Sequence, residues 1–130
     1  MSDVLIDRKE KALKKLRKDL RSGLYSYLVL LLLEREEELH GYAIRKRLEE
    51  LSDGRIVPSE GALYDILKSL KKSGLVQDTW AEVGGRPRKY YSLTKLGRTV
   101  LEELKADVDA ILETFEKMEK AEKGISSLKP

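Results

Sequence analysis

The sequence predicts a mainly α-helical fold that contains one small β-hairpin. Apolar residues recur at three- and four-residue spacing through most of the 130 residues, as they do on one face of an α-helix. Between Leu75 and Thr94 the pattern changes to the two-residue alternation of β-strands, and Gly84-Gly85 divides that segment in two. The predicted order of elements is therefore helix, helix, helix, hairpin, helix.

The composition is typical of a folded, soluble, single-domain protein. Hydrophobic residues make up 41% of the chain and charged residues 38%. The lack of cysteine excludes disulfides and cysteine nucleophiles, and a single histidine, His40, excludes a His-rich metal site, so we predict no cofactor and no metal. The apolar run from Leu28 to Leu33 is far shorter than the roughly 20 residues that span a bilayer. We therefore expect a cytoplasmic protein without membrane contact.

Charge is unevenly distributed, although the net charge is only +3. Residues 8–21 carry eight basic and two acidic residues, and residues 84–98 carry five basic residues and no acid. Residues 99–123 carry eight acids against four bases, a net charge of −4. This segregation indicates a cationic surface for a polyanion and a separate acidic helix.

The first two helical segments lie before residue 54. Residues 4–37 read mostly as helix, and Gly23 either kinks this stretch or divides it into two helices. Its apolar face consists of Leu13, Leu16, Leu20, Leu24, Tyr27 and Leu31. A shorter helix follows His40-Gly41, and Ser52-Asp53-Gly54 predicts its end. Its apolar residues Tyr42, Ile44, Leu48 and Leu51 fall largely on one side.

The third predicted helix begins after Pro58, with Ser59 as the N-cap, and Ser73-Gly74 closes it. An apolar stripe runs along one side and consists of Ala62, Leu63, Ile66, Leu67 and Leu70. The opposite side carries hydrogen-bond donors and positive charge, namely Ser59, Tyr64, Lys68, Lys71 and Lys72.

The hairpin and the last helix complete the chain. Two glycines favour a tight turn, and the cations Arg86, Arg88 and Lys89 lie on or beside its tip. Thr94 is a reasonable N-cap for the final helix. That helix carries an apolar seam with heptad spacing, formed by Leu101, Leu104, Val108, Ile111, Phe115 and Met118. An intramolecular amphipathic helix shows the same spacing, but a narrow, acidic stripe favours a partner helix from a second copy of the chain.

This order of elements is that of a winged helix-turn-helix domain. The second and third predicted helices form the helix-turn-helix, and the hairpin forms the wing. In such domains the third helix enters the DNA major groove, and the wing reaches phosphates or the minor groove beside it.

The chain resembles the PadR family of transcriptional regulators in an ordered set of motifs. The segments are "LLLLEREEELHGYAIRKRLEEL", "PSEGALYDILKSLKKSGLV" and "GGRPRKYYSLTKLGRTVLEEL", within residues 28–104. The resemblance implies a homodimeric repressor with a winged helix domain, a C-terminal dimerisation helix and a near-palindromic operator. Some members respond to phenolic or other small, planar, apolar effectors, but no motif here identifies one. The segment Met1 to Ser22 is longer and more basic than the family needs, so whether it braces the dimer or contacts DNA stays open.

The predicted DNA-binding residues are Ser59, Tyr64, Lys68, Lys71, Lys72, Arg86, Arg88 and Lys89. Arg86 or Arg88 contacts phosphates or enters the minor groove, and we favour DNA contact because residues 84–98 contain no neutralising acid. For Tyr64, a phosphate contact and a packing role at the core edge are equally supported. Tyr90 and Tyr91 point to opposite sides of a strand, and Trp80 is expected to pack against one of them across the hairpin rather than stack on an effector.

We therefore predict a sequence-specific DNA-binding regulator rather than an enzyme. The predicted parts are a basic helical extension (1–22), a winged helix-turn-helix domain (23–94), a dimerisation helix (95–123) and a flexible tail (124–130). With one histidine and no cysteine, the chain cannot assemble the nucleophile, base and orienting group of a catalytic triad. The residue counts alone do not exclude a catalytic site made of paired carboxylates. The alternatives are an architectural protein that binds double-stranded DNA without a preferred site, and a protein-interaction module.

Overall fold

The computed structural model describes the backbone of residues 3–128 and the side chains of residues 3–121. The elements are α1 (Asp3–Arg21), α2 (Leu24–Glu36), β1 (Glu38–His40), α3 (Gly41–Leu51), α4 (Glu60–Lys72), β2 (Val76–Val83), β3 (Arg86–Leu93) and α5 (Lys95–Leu128). The fold is mainly helical with a small antiparallel sheet, so the predicted fold class is confirmed.

Gly23 divides the first helical segment into α1 and α2. Its backbone has a positive φ of 84°, a left-handed conformation that glycine adopts without steric cost. The two helices differ sharply in burial, because α1 has no buried residue whereas α2 supplies four buried side chains to the core. These are Val29, Leu30, Leu32 and Leu33.

The strand β1 was not predicted. Its three residues pair antiparallel with β3, which gives a three-stranded sheet in the order β1-β3-β2. Three residues are too few to show an alternating pattern, and the pairing partner lies some 50 positions further along the chain. The pairing sets His40 opposite Tyr90, directly before α3 begins.

One hydrophobic core lies between helices α2, α3, α4, the first turns of α5 and one face of the sheet. Its buried members are Val29, Leu30, Leu32, Leu33, Ile44, Leu48, Leu63, Leu67, Leu70, Val76, Tyr91, Leu93 and Leu101. Tyr91 is the inward-facing tyrosine of the pair, and Tyr90 stays partly exposed beside His40. The opposite orientation predicted for the two tyrosines is therefore confirmed.

The start of α5 is fixed against the loop that leads from α4 into β2. Thr94 caps the helix, since its Oγ1 accepts from the Gly97 backbone N–H at 3.0 Å and donates to the Gly74 carbonyl at 2.6 Å. Gly97 is buried against the carbonyl oxygen of Leu75, and a Cβ at this position would clash with it. A 2.6 Å ion pair between Lys105 and Glu34 then ties α5 to α2.

The second half of α5 leaves the core. Along the predicted seam, Leu101 is buried and Leu104 and Val108 are partly buried, but Ile111, Phe115 and Met118 are 51%, 57% and 66% exposed. The helix continues to Leu128, whereas the sequence predicted a tail from residue 124. Residues 129–130 of that tail lie outside the described residues.

We predict that Gly97→Ala lowers the free energy of unfolding by about 1–3 kcal/mol, because the added methyl group must displace backbone rather than a side chain. Gly61→Ala is the matched control, since a Cβ on this α4 residue meets nothing within 4 Å. Alanine there should raise stability by up to about 1 kcal/mol through helix propensity. Urea denaturation of both variants checks the prediction, and equal effects would contradict it.

Candidate nucleic-acid interface

The turn between α3 and α4 is held by two local contacts. The guanidinium Nε of Arg45 donates to the carbonyl of Pro58 at 2.8 Å, which links α3 to the loop before α4. Ser59 then caps α4, as predicted, because its Oγ accepts from the Ala62 backbone N–H at 3.2 Å. These two contacts fix the loop that leads from α3 into α4.

The polar face of α4 is exposed along its length. Lys68, Lys71 and Lys72 are all exposed. The ring of Tyr64 packs over Gly41, where a Cβ would lie 2.8 Å from the tyrosine hydroxyl, and yet the residue is 46% exposed. Tyr64 therefore closes the gap between α3 and α4 and still offers surface to solvent, so both predicted roles are compatible.

The hairpin of β2 and β3 projects beyond the core. Its turn residues Gly84 and Gly85 both have positive φ, 61° and 77°, as a type I′ turn requires. Every residue from Thr79 to Arg88 is exposed. Arg86 and Arg88 lie on this projecting part, and neither forms any of the ion pairs found among residues 3–121.

A cleft of about 620 Å³ separates the start of α3 and α4 from the hairpin. Its walls are rich in aromatic and cationic side chains, and it is lined by His40, Gly41, Tyr42, Tyr64, Trp80, Pro87, Arg88, Lys89 and Tyr91. The cleft brings Tyr64 of α4 together with Arg88 and Lys89 of the hairpin. The other predicted residues, Ser59, Lys68, Lys71, Lys72 and Arg86, do not line it.

A largely covered carboxylate, which sequence reasoning missed, lies behind this cleft. One oxygen of Asp78, Oδ2, lies 3.0 Å from Lys71 Nζ and 3.3 Å from Lys89 Nζ, and the Asp78 side chain is only 14% exposed. The Lys71 ammonium lowers the pKa of Asp78, burial opposes this, and Lys89 lowers it further. Residues 84–98 contain no acid, as counted from the sequence, but Lys89 is nevertheless paired, because Asp78 comes from the adjacent strand.

Trp80 does not pack against a tyrosine across the hairpin. It is paired in register with Lys89, whose Nζ lies 5.3 Å from the centre of the indole ring, a cation–π contact. The side chain is 68% exposed. The sequence prediction was wrong because Tyr90 and Tyr91 stand opposite Thr79 and Asp78 instead.

His40 joins α3 to the hairpin. Its Nδ1 accepts from the Ala43 backbone N–H at 3.2 Å and so caps α3. A neutral ring that accepts at Nδ1 carries its proton on Nε2, and Nε2 lies 3.0 Å from Arg88 Nη1. A neutral ring accepts at only one of its two nitrogens, so the cap of α3 and the Arg88 contact compete for the same acceptor capacity.

A second cationic surface lies on α1. A cleft of about 710 Å³ between α1 and α2 is lined by Glu10, Lys11, Lys14, Arg17, Lys18, Arg21, Ser22 and Tyr25. Among residues 3–121, no ion pair involves α1. Within the part of the chain that the structure describes, no helix is both long and apolar enough to cross a membrane.

Comparison with known proteins places this geometry among transcription factors. Residues 29–103 match the sequence model of the transcriptional regulator PadR-like family. The structure is similar to that of a PadR family transcriptional regulator from Eggerthella lenta, with a TM-score of 0.66 and 30% identity over 85% of this chain and 95% of that one. A PadR-like transcriptional regulator from Bacillus cereus matches with a TM-score of 0.68 and 27% identity, over 77% and 95% of the two chains.

The transcriptional regulator YqjI of Escherichia coli is 34% identical over 86 residues. These residues are 66% of this chain but only 40% of that protein, so the chain spans less than half the length of YqjI.

We predict that His40 makes stability depend on pH in the range where no other side chain ordinarily titrates. Burial lowers the pKa of His40 below its ordinary value of 6.5, and Arg88 lowers it further. Because the folded state binds the proton less readily, the cap contribution is present above pH 6.5 and is lost as pH falls through the lower folded-state pKa.

Thermal unfolding at about pH 7.5 and about pH 5.5 tests this. His40→Asn keeps an oxygen acceptor for the cap but does not titrate, so its melting temperature should fall less than that of the wild type over this interval. His40→Ala should cost about 1 kcal/mol at the higher pH. Parallel pH profiles for wild type and His40→Asn would contradict the prediction.

Proposed function

The chain belongs to the PadR-like family of transcriptional regulators, and from this premise we propose that it is a sequence-specific repressor that binds a near-palindromic operator as a homodimer. The observation that carries the proposal is the shared surface of α4 and the hairpin, where hydroxyl, aromatic and cationic groups meet around one cleft. Since such a regulator must reach chromosomal DNA, we also propose a cytoplasmic location.

In this proposal α4 enters the major groove and the hairpin follows the phosphate backbone. The projecting hairpin supports this role, because Arg86 and Arg88 are exposed and have no acidic partner within residues 3–121. Arg88 can also exchange its contact with His40, which competes with the α3 cap for the single acceptor of the neutral ring, for a stronger charge-assisted hydrogen bond to a phosphate oxygen.

The N-cap and the polar face of α4 supply the contacts at the major groove and its flanking phosphates. Ser59 accepts from a backbone N–H and still has its own hydroxyl proton to donate to a phosphate at the helix N-terminus. Tyr64 offers its exposed edge in the same region. Lys68 and Lys72 are exposed and form none of the ion pairs within residues 3–121, so they are available for phosphates or guanine edges.

The exposed seam of α5 supports the proposed homodimer. Ile111, Phe115 and Met118 form an apolar stripe that nothing in the described chain covers, and a second copy would bury it by pairing seam with seam. Two-fold symmetry would then set two α4 helices about 34 Å apart, one helical turn of DNA.

A bracing role for α1 is the simplest use of its charge and apolar surface. Leu16 and Leu20 are 61% and 72% exposed, and residues 8–21 carry a net charge of +6 against −4 in residues 99–123. An α1 helix that packs on the acidic α5 of a second copy would cover the two exposed leucines and pair the opposite charges. A planar apolar effector remains a prediction that the proposal does not require.

We predict that Arg86→Ala combined with Arg88→Ala weakens binding to duplex DNA and flattens its salt dependence. Each lost phosphate contact should reduce the slope of log K against log salt by about 0.9, so the double variant should lose about 2. Gel-shift titrations at several salt concentrations, on a fragment selected by the wild type from random DNA, measure both quantities.

The matched control is Lys117→Ala combined with Lys120→Ala, which removes the same charge from exposed positions on α5. Its slope should stay close to that of the wild type, and an unchanged slope for the arginine variant would rule out the hairpin contact. Footprinting on genomic fragments separates the alternatives: discrete protected sites support a repressor, and uniform protection an architectural protein. A stable monomer without DNA affinity would instead indicate a protein-interaction module.

We predict that Phe115→Glu dissociates the dimer, because it sets a charge in the centre of the apolar stripe. The dissociation constant should rise by at least about 30-fold, the equivalent of losing an interface hot spot of 2 kcal/mol. Ala106→Glu adds the same charge on the opposite side of the helix and should leave assembly unchanged. Analytical ultracentrifugation distinguishes the two, and a wild type that is monomeric at all concentrations would contradict dimerisation through α5.

A further inference from the structure

We propose that Asp78 withholds Lys71 and Lys89 from DNA phosphates, and so lowers binding to non-specific DNA more than binding to the operator. The inference rests on the proposed DNA-binding function. It assigns to Asp78 a positioning role, since the carboxylate acts on DNA only through the two lysines.

The geometry isolates a single acid between two elements of the candidate interface. Lys71 belongs to the last turn of α4 and Lys89 to β3, and both ammonium groups converge on Oδ2 of Asp78 at 3.0 and 3.3 Å. The carboxylate is covered, with 14% of its side chain exposed, whereas the two lysines are 53% and 36% exposed. The charges therefore meet at the protein surface, but only the cations can be reached from outside.

The position of the hairpin does not depend on this cluster alone. Among buried side-chain polar atoms of the described residues, Oδ2 of Asp78 is the one without a hydrogen-bond partner, so its contacts with the lysines are charge contacts without hydrogen-bond alignment. Because the lysines lower the pKa of Asp78, the cluster adds to stability, but ion pairs of partly exposed lysines contribute little. The hairpin is already held by its strand ladder and by Val76 and Tyr91 in the core.

The withheld charge matters because phosphate neutralisation supplies essentially all of non-specific binding. A lysine that is neutralised by an internal carboxylate releases fewer counterions on meeting a phosphate. In non-specific complexes the protein samples many poses and can settle wherever free lysines meet phosphates. On the operator, base contacts fix one pose, so lysines freed from Asp78 add less binding free energy there than on non-specific DNA.

The test compares Asp78→Asn with Glu82→Gln on a random-sequence duplex and on the duplex selected by the wild type. Glu82 lies on the same strand, is exposed and forms none of the ion pairs within residues 3–121, so its variant changes the net charge equally without freeing a cation. For Asp78→Asn on random DNA we expect a salt slope steeper by up to about 1.8 and a gain in affinity of about tenfold or more at low salt. The gain on the selected duplex should be smaller.

Adding Lys71→Ala and Lys89→Ala to Asp78→Asn should abolish the gain, an outcome that a merely structural role for Asp78 does not produce. Equal affinities and salt slopes for Asp78→Asn and Glu82→Gln, or equal gains in affinity on both duplexes, would overturn the inference about Asp78. The proposed DNA-binding function would be unaffected by either outcome. Failure of folded wild type and variants to bind any duplex would overturn the proposed function and the inference with it.

Discussion

The rest of the structure depends on the close contact between the start of α5 and the loop that follows α4. Here Thr94 joins the Gly74 carbonyl to the first turn of α5, and Gly97 lets that turn rest on the Leu75 backbone. Four elements meet at this point: the end of α4, the start of β2, the end of β3 and the start of α5. The base of the hairpin and the direction of the long helix are consequently fixed relative to α4 by a few backbone atoms, which tolerate no additional side-chain volume.

The candidate interface is built on this frame by electrostatics as much as by shape. Asp78 holds Lys89, which lines the cleft, and Lys71 behind it, while Arg88 has no acidic partner within residues 3–121 and contacts the ring of His40. The surface therefore combines restrained and unrestrained cations within one cleft. Such a mixture suits the proposed role, in which the protein leaves most DNA quickly and remains on a few sites.

Long, strongly periodic elements could be predicted from the sequence, and through-space relations could not. The cap at Ser59, the Gly84-Gly85 turn and the extent of α4 follow from local chemistry, so their prediction succeeded. The strand β1 escaped prediction because its stability comes from pairing with β3 rather than from its own three residues. The neutralisation of Lys89 escaped for a related reason, since charge counted along the chain ignores an acid on the neighbouring strand. The one sequence signal for this ion pair was the position of Asp78, which is in register with the inward-facing Tyr91 and therefore lies on the covered face of the hairpin.

The direct continuation of the hairpin into α5 has a mechanical consequence. Only Thr94 separates β3 from a helix of 34 residues, so a tilt of α5 about the Leu75 contact as a fulcrum would carry the hairpin with it, like the two arms of a lever. From Leu101 to Met118 the long arm measures about 25 Å, and a tilt of roughly 5° about the fulcrum would shift its far end by about 2 Å. The short arm carries Arg86 and Arg88. Any molecule that changes how the far ends of two such levers meet would therefore change the span between two hairpin tips without touching either of them.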